Sequence, residues 1–203
     1  MKVKVCGMKY PDNIREAASL LPDFMGFIFY PQSKRYVGED FVLPVLPESI
    51  NKTGVFVNDL PARVFEKANK YSLDFVQLHG NESVDYCKEV RKKIKVIKAF
   101  GINEQFDFSI LDNYKNSCDY FLFDTKTTLF GGSGMPFDKN ILRNYSLSIP
   151  FFLSGGIDLS SVLTSKGFHP MLYGFDVNSK LEDKPAVKNI NKLKQLIDEV
   201  SGK

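Results

Sequence analysis

The sequence predicts an α/β protein folded as a single closed (β/α)8 barrel, and three observations lead there. Its 203 residues suit one domain, at roughly 150 residues per domain. Short apolar runs rich in Val, Ile, Phe and Tyr alternate with stretches that carry helix-start signals. The runs recur about every 24 residues, near the minimum for a β-α-β crossover, and there are eight of them. Eight such units close a barrel at the small end of the TIM-barrel size range.

The runs are Lys2–Cys6, Phe24–Tyr30, Thr53–Asn58, Phe75–His79, Lys95–Phe100, Tyr120–Asp124, Pro150–Ser154 and Met171–Asp176. Each is too short for a core helix and stops at a polar residue or beside a Gly, as buried parallel strands do. Pro11-Asp12 opens a helix over Asn13–Leu21, and Asp59-Leu60-Pro61 opens Ala62–Tyr71. Asn81-Glu82 opens Ser83–Lys93, and Asp158 opens Leu159–Lys166. In Ala186–Val200, the residues Val187, Ile190, Leu193, Ile197 and Val200 stand three and four apart, which gives a helix one apolar face. Helix-sized connectors fill the remaining gaps, and residues 1–203 read as one catalytic domain without a linker. A doubly wound sheet would carry Gly-x-Gly-x-x-Gly after its first strand, and a leucine-rich solenoid Leu-x-x-Leu-x-Leu; neither motif occurs.

Composition narrows the function classes. Lys plus Arg number 27 against 24 Asp plus Glu, a net charge of +3. The longest basic cluster, Arg91-Lys92-Lys93, is a solvated helix end rather than a nucleic-acid footprint. No apolar run has the length of a membrane span, and Met1–Val5 lacks the apolar core of a signal peptide. The expectation is a cytoplasmic protein with a small-molecule ligand and no nucleic-acid or membrane partner. Monomer and homodimer both remain open. Three cysteines without Cys-x-x-Cys and two histidines encode neither a disulfide framework nor a metal site.

In a barrel the functional face is the C-terminal end of the strands. The strand ends here are Cys6, Tyr30, Asn58, His79, Phe100, Asp124, Ser154 and Asp176. Cys6 reads either as a small buried hydrophobe or as an activated thiol. Lys2, Lys4 and Cys6 share one strand face, with Lys4 about 7 Å from Cys6, and a nearby ammonium favours the thiolate. Asp124 reads as a loop or capping carboxylate, or as an acid facing Cys6 from the sixth strand, three strands away around the ring. His79 is expected to line the site as a hydrogen-bonding residue. Gly132 and Gly134, then Gly155 and Gly156, lie in glycine-rich turns after strands six and seven. Such turns cradle anions on backbone N–H groups, and with Asn178 and Ser179 after strand eight they fit a sugar phosphate. Arg35 is either a surface residue or a bidentate carboxylate clamp.

These segments together resemble phosphoribosylanthranilate isomerase. The resemblance runs through Lys4-Val5-Cys6-Gly7, Gly26–Tyr30 with Ser33 and Arg35, Gly54–Asn58, and Gln77-Leu78-His79-Gly80. It continues through Phe123-Asp124-Thr125, Gly131–Gly134, Ser154-Gly155-Gly156 and Asp176-Val177-Asn178-Ser179. They occur in the family's order over almost the whole chain. The resemblance implies a β/α barrel of tryptophan biosynthesis that needs no metal and no cofactor. Its reaction is an Amadori rearrangement of N-(5-phosphoribosyl)anthranilate to 1-(o-carboxyphenylamino)-1-deoxyribulose 5-phosphate. It implies Asp124 as general acid, Cys6 as general base, Arg35 on the anthranilate carboxylate, and Asp176 near the substrate amine or sugar. The glycine turns with Asn178-Ser179 are then implied to hold the phosphate. Lys34 stands where the family commonly has Pro, and Lys180 where it commonly has Gly. Three other readings compete: the analogous histidine-pathway isomerase, a catalytically silent sugar-phosphate-binding barrel, and a redox thiol protein. The first uses two aspartates, whereas Cys6 takes the first position here. The second would not need both Cys6 and Asp124, and the third lacks a resolving cysteine near Cys6.

Overall fold

The computed structural model describes residues 1–125 and 139–202. Eight parallel strands close on themselves in chain order: β1 (Lys2–Val5), β2 (Phe24–Ile28), β3 (Asn51–Phe56), β4 (Phe75–Leu78), β5 (Lys95–Ile102), β6 (Tyr120–Thr125), β7 (Phe151–Ser154) and β8 (Leu172–Val177). β1 pairs with β8 through Lys2↔Gly174 to Val5↔Val177, which seals the ring. Outside it lie α1 (Pro11–Ser19), α2 (Pro61–Lys70), α3 (Val84–Arg91), α4 (Leu111–Tyr114), α5 (Leu159–Ser165) and α6 (Ile190–Ser201). Among the described residues, no helix is long and apolar enough to cross a membrane.

The start signals at Pro11, Pro61 and Asp158 work as the sequence predicts, whereas α3 is capped by Ser83 rather than opened by Asn81-Glu82. Pro11 and Pro61 open α1 and α2, where the missing N–H costs nothing. Ser83 and Asp158 accept hydrogen bonds from the N–H groups of Tyr86 and Ser161. The last helix is a correction. It starts at Ile190, not Ala186, because Ala186 has φ +68° and Asn189 caps the helix by accepting from Lys192 N. Val187-Lys188 instead forms a short strand, β10, against β9 (Glu182–Lys184). That hairpin carries two charged residues back to the barrel mouth.

Alternation along the strands divides the interior in two. Val3 and Val5 face outward into the core under the helices, while Lys4 and Cys6 face into the barrel. The barrel floor is a separate aromatic cluster of Phe24, Phe75, Ile97, Ala99, Leu122 and Phe152. Phe24 meets Phe75 and Phe152 edge-on at 5.2 Å each, a favourable geometry for aromatic pairs. With the floor filled, only the C-terminal end of the barrel remains open for chemistry.

Candidate active site

That end holds a cavity of about 260 Å³ lined by Cys6, Gln77, His79, Asp124, Gly155 and Asp176, among others. Every barrel-mouth position expected from the strand ends to carry chemistry is there: Cys6 just past β1, His79 just past β4, Asp124 near the end of β6 and Asp176 in β8. Gly155, Gly156, Asn178 and Ser179 close one side. Gly132 and Gly134 lie outside the described residues. A larger cleft of about 630 Å³ runs between Phe41–Pro47 and the start of β3 and β4, at the opposite, N-terminal side.

Beneath the cavity sits a buried ion pair. Lys4 Nζ donates to Asp176 Oδ1 at 2.6 Å, with the two side chains 0 % and 5 % exposed. Ser154 Oγ donates to the other carboxylate oxygen at 3.1 Å. Burial works against the Lys4 charge, yet Asp176 and Cys6 together hold its pKa above the ordinary value. At Cys6 two effects oppose each other. The ammonium does pull the thiol down, but burial pushes it up more strongly, and the net direction is upward. Gly26 of β2 makes room for this pair, since a Cβ there would lie 2.8 Å from Cys6 Sγ and 3.2 Å from Lys4 Nζ. A glycine inside a strand is the sequence signal for such close approach.

Asp124 meets an imidazole. His79 Nε2 lies 3.4 Å from Asp124 Oδ2, and Gln77 Nε2 lies 2.7 Å from His79 Nδ1. Gln77, in β4, is fully buried below them.

Arg35 packs with Asn178 against Gly7, next to Cys6. Its Nε and Nη2 fork onto Glu182, with distances of 2.8, 3.1 and 2.6 Å, and it does not line the cavity. These hydrogen bonds raise its pKa further. Glu182 also accepts from Lys188 Nζ at 2.6 Å, and Lys188 donates in turn to Asn178 Oδ1 at 2.8 Å. Burial works against the Glu182 charge, but Arg35 and Lys188 outweigh it and hold its pKa low. The side chain thus clamps a carboxylate, but one supplied by the β9–β10 hairpin. Glu182 and Lys188 carry no local sequence signal, and the apolar spacing from Val187 extends the expected helix over Lys188.

Residues 3–199 match the model of N-(5'-phosphoribosyl)anthranilate (PRA) isomerase. The chain belongs to the N-(5'-phosphoribosyl)anthranilate isomerase family. The enzyme of that name from Parabacteroides distasonis is 44 % identical over 206 residues, covering 98 % of this chain and 93 % of the relative. The crystal structure of the phosphoribosylanthranilate isomerase of Thermotoga maritima superposes with a TM-score of 0.87 at 31 % identity, covering all of both chains. A phosphoribosylanthranilate isomerase in complex with reduced 1-(o-carboxyphenylamino)-1-deoxyribulose 5-phosphate gives 0.84 at 28 % identity, again over all of both chains. The barrel and the family expected from the residues are both correct.

Within this family frame Lys180 is the notable departure. It is exposed, yet its stem leans over the glycine turn, with Cε 3.9 Å from where a Gly156 Cβ would sit. The neighbouring Asp158 carboxyl is held below its ordinary value although burial opposes this. Hydrogen bonds from Ser161 and Ser160 do most of it, and the Lys180 charge adds to them.

Proposed function

We propose that the cavity converts N-(5'-phosphoribosyl)anthranilate to 1-(o-carboxyphenylamino)-1-deoxyribulose 5-phosphate, a step of tryptophan biosynthesis, with Asp124 as acid and Cys6 as base. The observation that carries this reading is that a carboxyl and a thiol, from strands three apart, line one small cavity beside a glycine turn. The chemistry needs proton transfers alone. Asp124 gives its proton to the furanose ring oxygen, the C1–O bond breaks, and an iminium forms at C1. The iminium acidifies C2, so a thiolate is basic enough to take the C2 proton and leave an enolamine. Tautomerisation then moves a proton onto C1 and takes one from the C2 hydroxyl, giving the ketone and restoring both groups. Acid and base each contribute about 10²–10⁴-fold. The direct test generates phosphoribosylanthranilate in situ and follows its disappearance spectroscopically when the protein is added. An unchanged decay rate would refute the assignment.

Asp176, anchored by Lys4 and Ser154, is assigned to the substrate amine or sugar, and Gly155, Gly156, Asn178 and Ser179 to the phosphate. Gly155 and Gly156 have φ of +93° and +68°, a backbone conformation that glycine adopts readily. Arg35 is assigned to the anthranilate carboxylate. Glu182 occupies Nε–H and one Nη2–H, so three of the five guanidinium donors are left for a second carboxylate. Arg35→Met is expected to raise KM mostly, and Arg35→Lys to restore little, because an ammonium cannot serve two carboxylates in a planar fork. Product binding as tight as wild type in Arg35→Met would return Arg35 to a purely structural role with Glu182.

Lys180 extends this assignment. Its stem over Gly156 brings an ammonium to the phosphate side of the cavity, where the family commonly has a glycine. Lys180→Met should raise KM severalfold and leave a KM that depends less on salt, because salt screens exposed charge pairs. Lys180→Gly removes the charge while matching the family's usual residue. KM values and salt slopes like wild type in both variants would dismiss the ammonium.

A further inference from the structure

We propose that His79 keeps Asp124 supplied with its proton, the chain Gln77–His79–Asp124 acting as a proton-holding relay behind the general acid. The inference rests on Asp124 being the acid, and it answers a difficulty in that reading. The reaction starts from a protonated carboxyl and a deprotonated thiol. In water, a carboxyl loses its proton near pH 4 and a thiol near 8.5, so at neutral pH both groups favour the opposite state. Lys4 opposes this at Cys6. At Asp124, the one cation-forming side chain in ion-pair reach among the described residues is His79, at 3.4 Å.

The geometry directs the imidazole proton to the carboxyl. An amide N–H can only donate, so the 2.7 Å contact from Gln77 Nε2 makes His79 Nδ1 the acceptor and leaves the ring N–H on Nε2, toward Asp124. Gln77 is 1 % exposed. Its Oε1 is buried without a hydrogen-bond partner among the described residues. A half-turn of the amide offers that oxygen to a protonated Nδ1, so one side chain meets both imidazole and imidazolium. In the transfer the imidazolium Nε2–H bond breaks, its electron pair stays on nitrogen, and an O–H bond forms on Asp124 Oδ2. Asp124 spends that proton on the ring oxygen and recovers one from the C2 hydroxyl, so a turnover consumes none. Closing the contact to hydrogen-bond length needs a movement of about 0.5 Å, ordinary for an unliganded site.

The charges around His79 are otherwise balanced. On β5, Lys98 Nζ donates to Leu78 O at 3.2 Å and Gly80 O at 2.8 Å, the carbonyls on either side of His79. Glu82 neutralises that ammonium at 3.0 Å and accepts from Gly80 N. Across the cavity, Asp176 of β8 is paired with Lys4, beside Cys6 of β1. Asp124 of β6 is therefore the carboxylate left facing the imidazole, at 3.4 Å.

The test compares kcat and KM from pH 5 to 9 for wild type, His79→Gln, His79→Asn and Asp124→Asn. Gln keeps an N–H donor for Asp124 but cannot release a proton to it. The expected result for His79→Gln is a basic limb of kcat moved to lower pH. At pH 8 kcat should fall at least about 10-fold with KM within about 3-fold, and the deficit should shrink toward pH 5. A limb that stays in place overturns the proposal, whether kcat falls equally at every pH or not at all. Should the Gln variant not fold by circular dichroism, the Asn variant is read by the same limb. An active Asp124→Asn would sink the acid assignment itself. An inactive Asp124→Asn with an unmoved limb in His79→Gln sinks the relay alone.

Discussion

Asp124→Asn is expected to lower kcat by at least about 10²-fold, with KM within severalfold of wild type. That loss corresponds to about 2.7 kcal/mol of transition-state stabilisation. The amide has the shape of the carboxyl and can still donate a hydrogen bond to the ring oxygen, but it cannot give up a proton as the C1–O bond breaks. Asp124 is half-buried at the mouth, in register with Ser154 of β7 and Gly101 of β5, so the substitution leaves the strand ladder alone. Steady-state kinetics on substrate formed in situ measure the effect, and a thermal melt like that of wild type shows that the fold is intact. Turnover within a few fold of wild type would remove Asp124 from the mechanism.

The barrel was legible because its evidence is local. Alternating apolar runs and start signals such as Pro11, Pro61 and Asp158 sit next to the elements they define. Strand parity went further and placed Lys4 beside Cys6. What stayed hidden is pairing across the chain. Lys4 finds Asp176 172 residues away and Arg35 finds Glu182 147 residues away, so neither local pattern nor spacing shows that two cations are already committed. The last helix misled for a different reason: Val187 continues the apolar spacing, but positive φ at Ala186 and the Asn189 cap stop the helix from reaching back. Position of side chains along strands was readable; their electrostatic balance required the fold.

That balance decides the second large effect, at Cys6. Cys6→Ala is expected to lower kcat by at least about 10²-fold, since no other group at that position can take the C2 proton. The pH dependence follows from the direction of the thiol's shift. The base is the thiolate, and burial raises the thiol's pKa despite Lys4. The thiolate fraction, and with it kcat, therefore rises with pH across the acidic limb. Lys4→Met removes the cation that opposes burial and leaves the Asp176 charge beside the thiol unopposed, so the thiol is pushed up further. The acidic limb should move to higher pH. Deleting one partner of a buried ion pair also costs about 3–5 kcal/mol of stability. The companion variant Lys4→Met with Asp176→Asn removes the stranded carboxylate and, if folded, should keep the limb above that of wild type. An unmoved limb in a folded Lys4 variant would mean that the ammonium serves only to anchor Asp176. Full activity in Cys6→Ala would mean that the C2 proton leaves by another route.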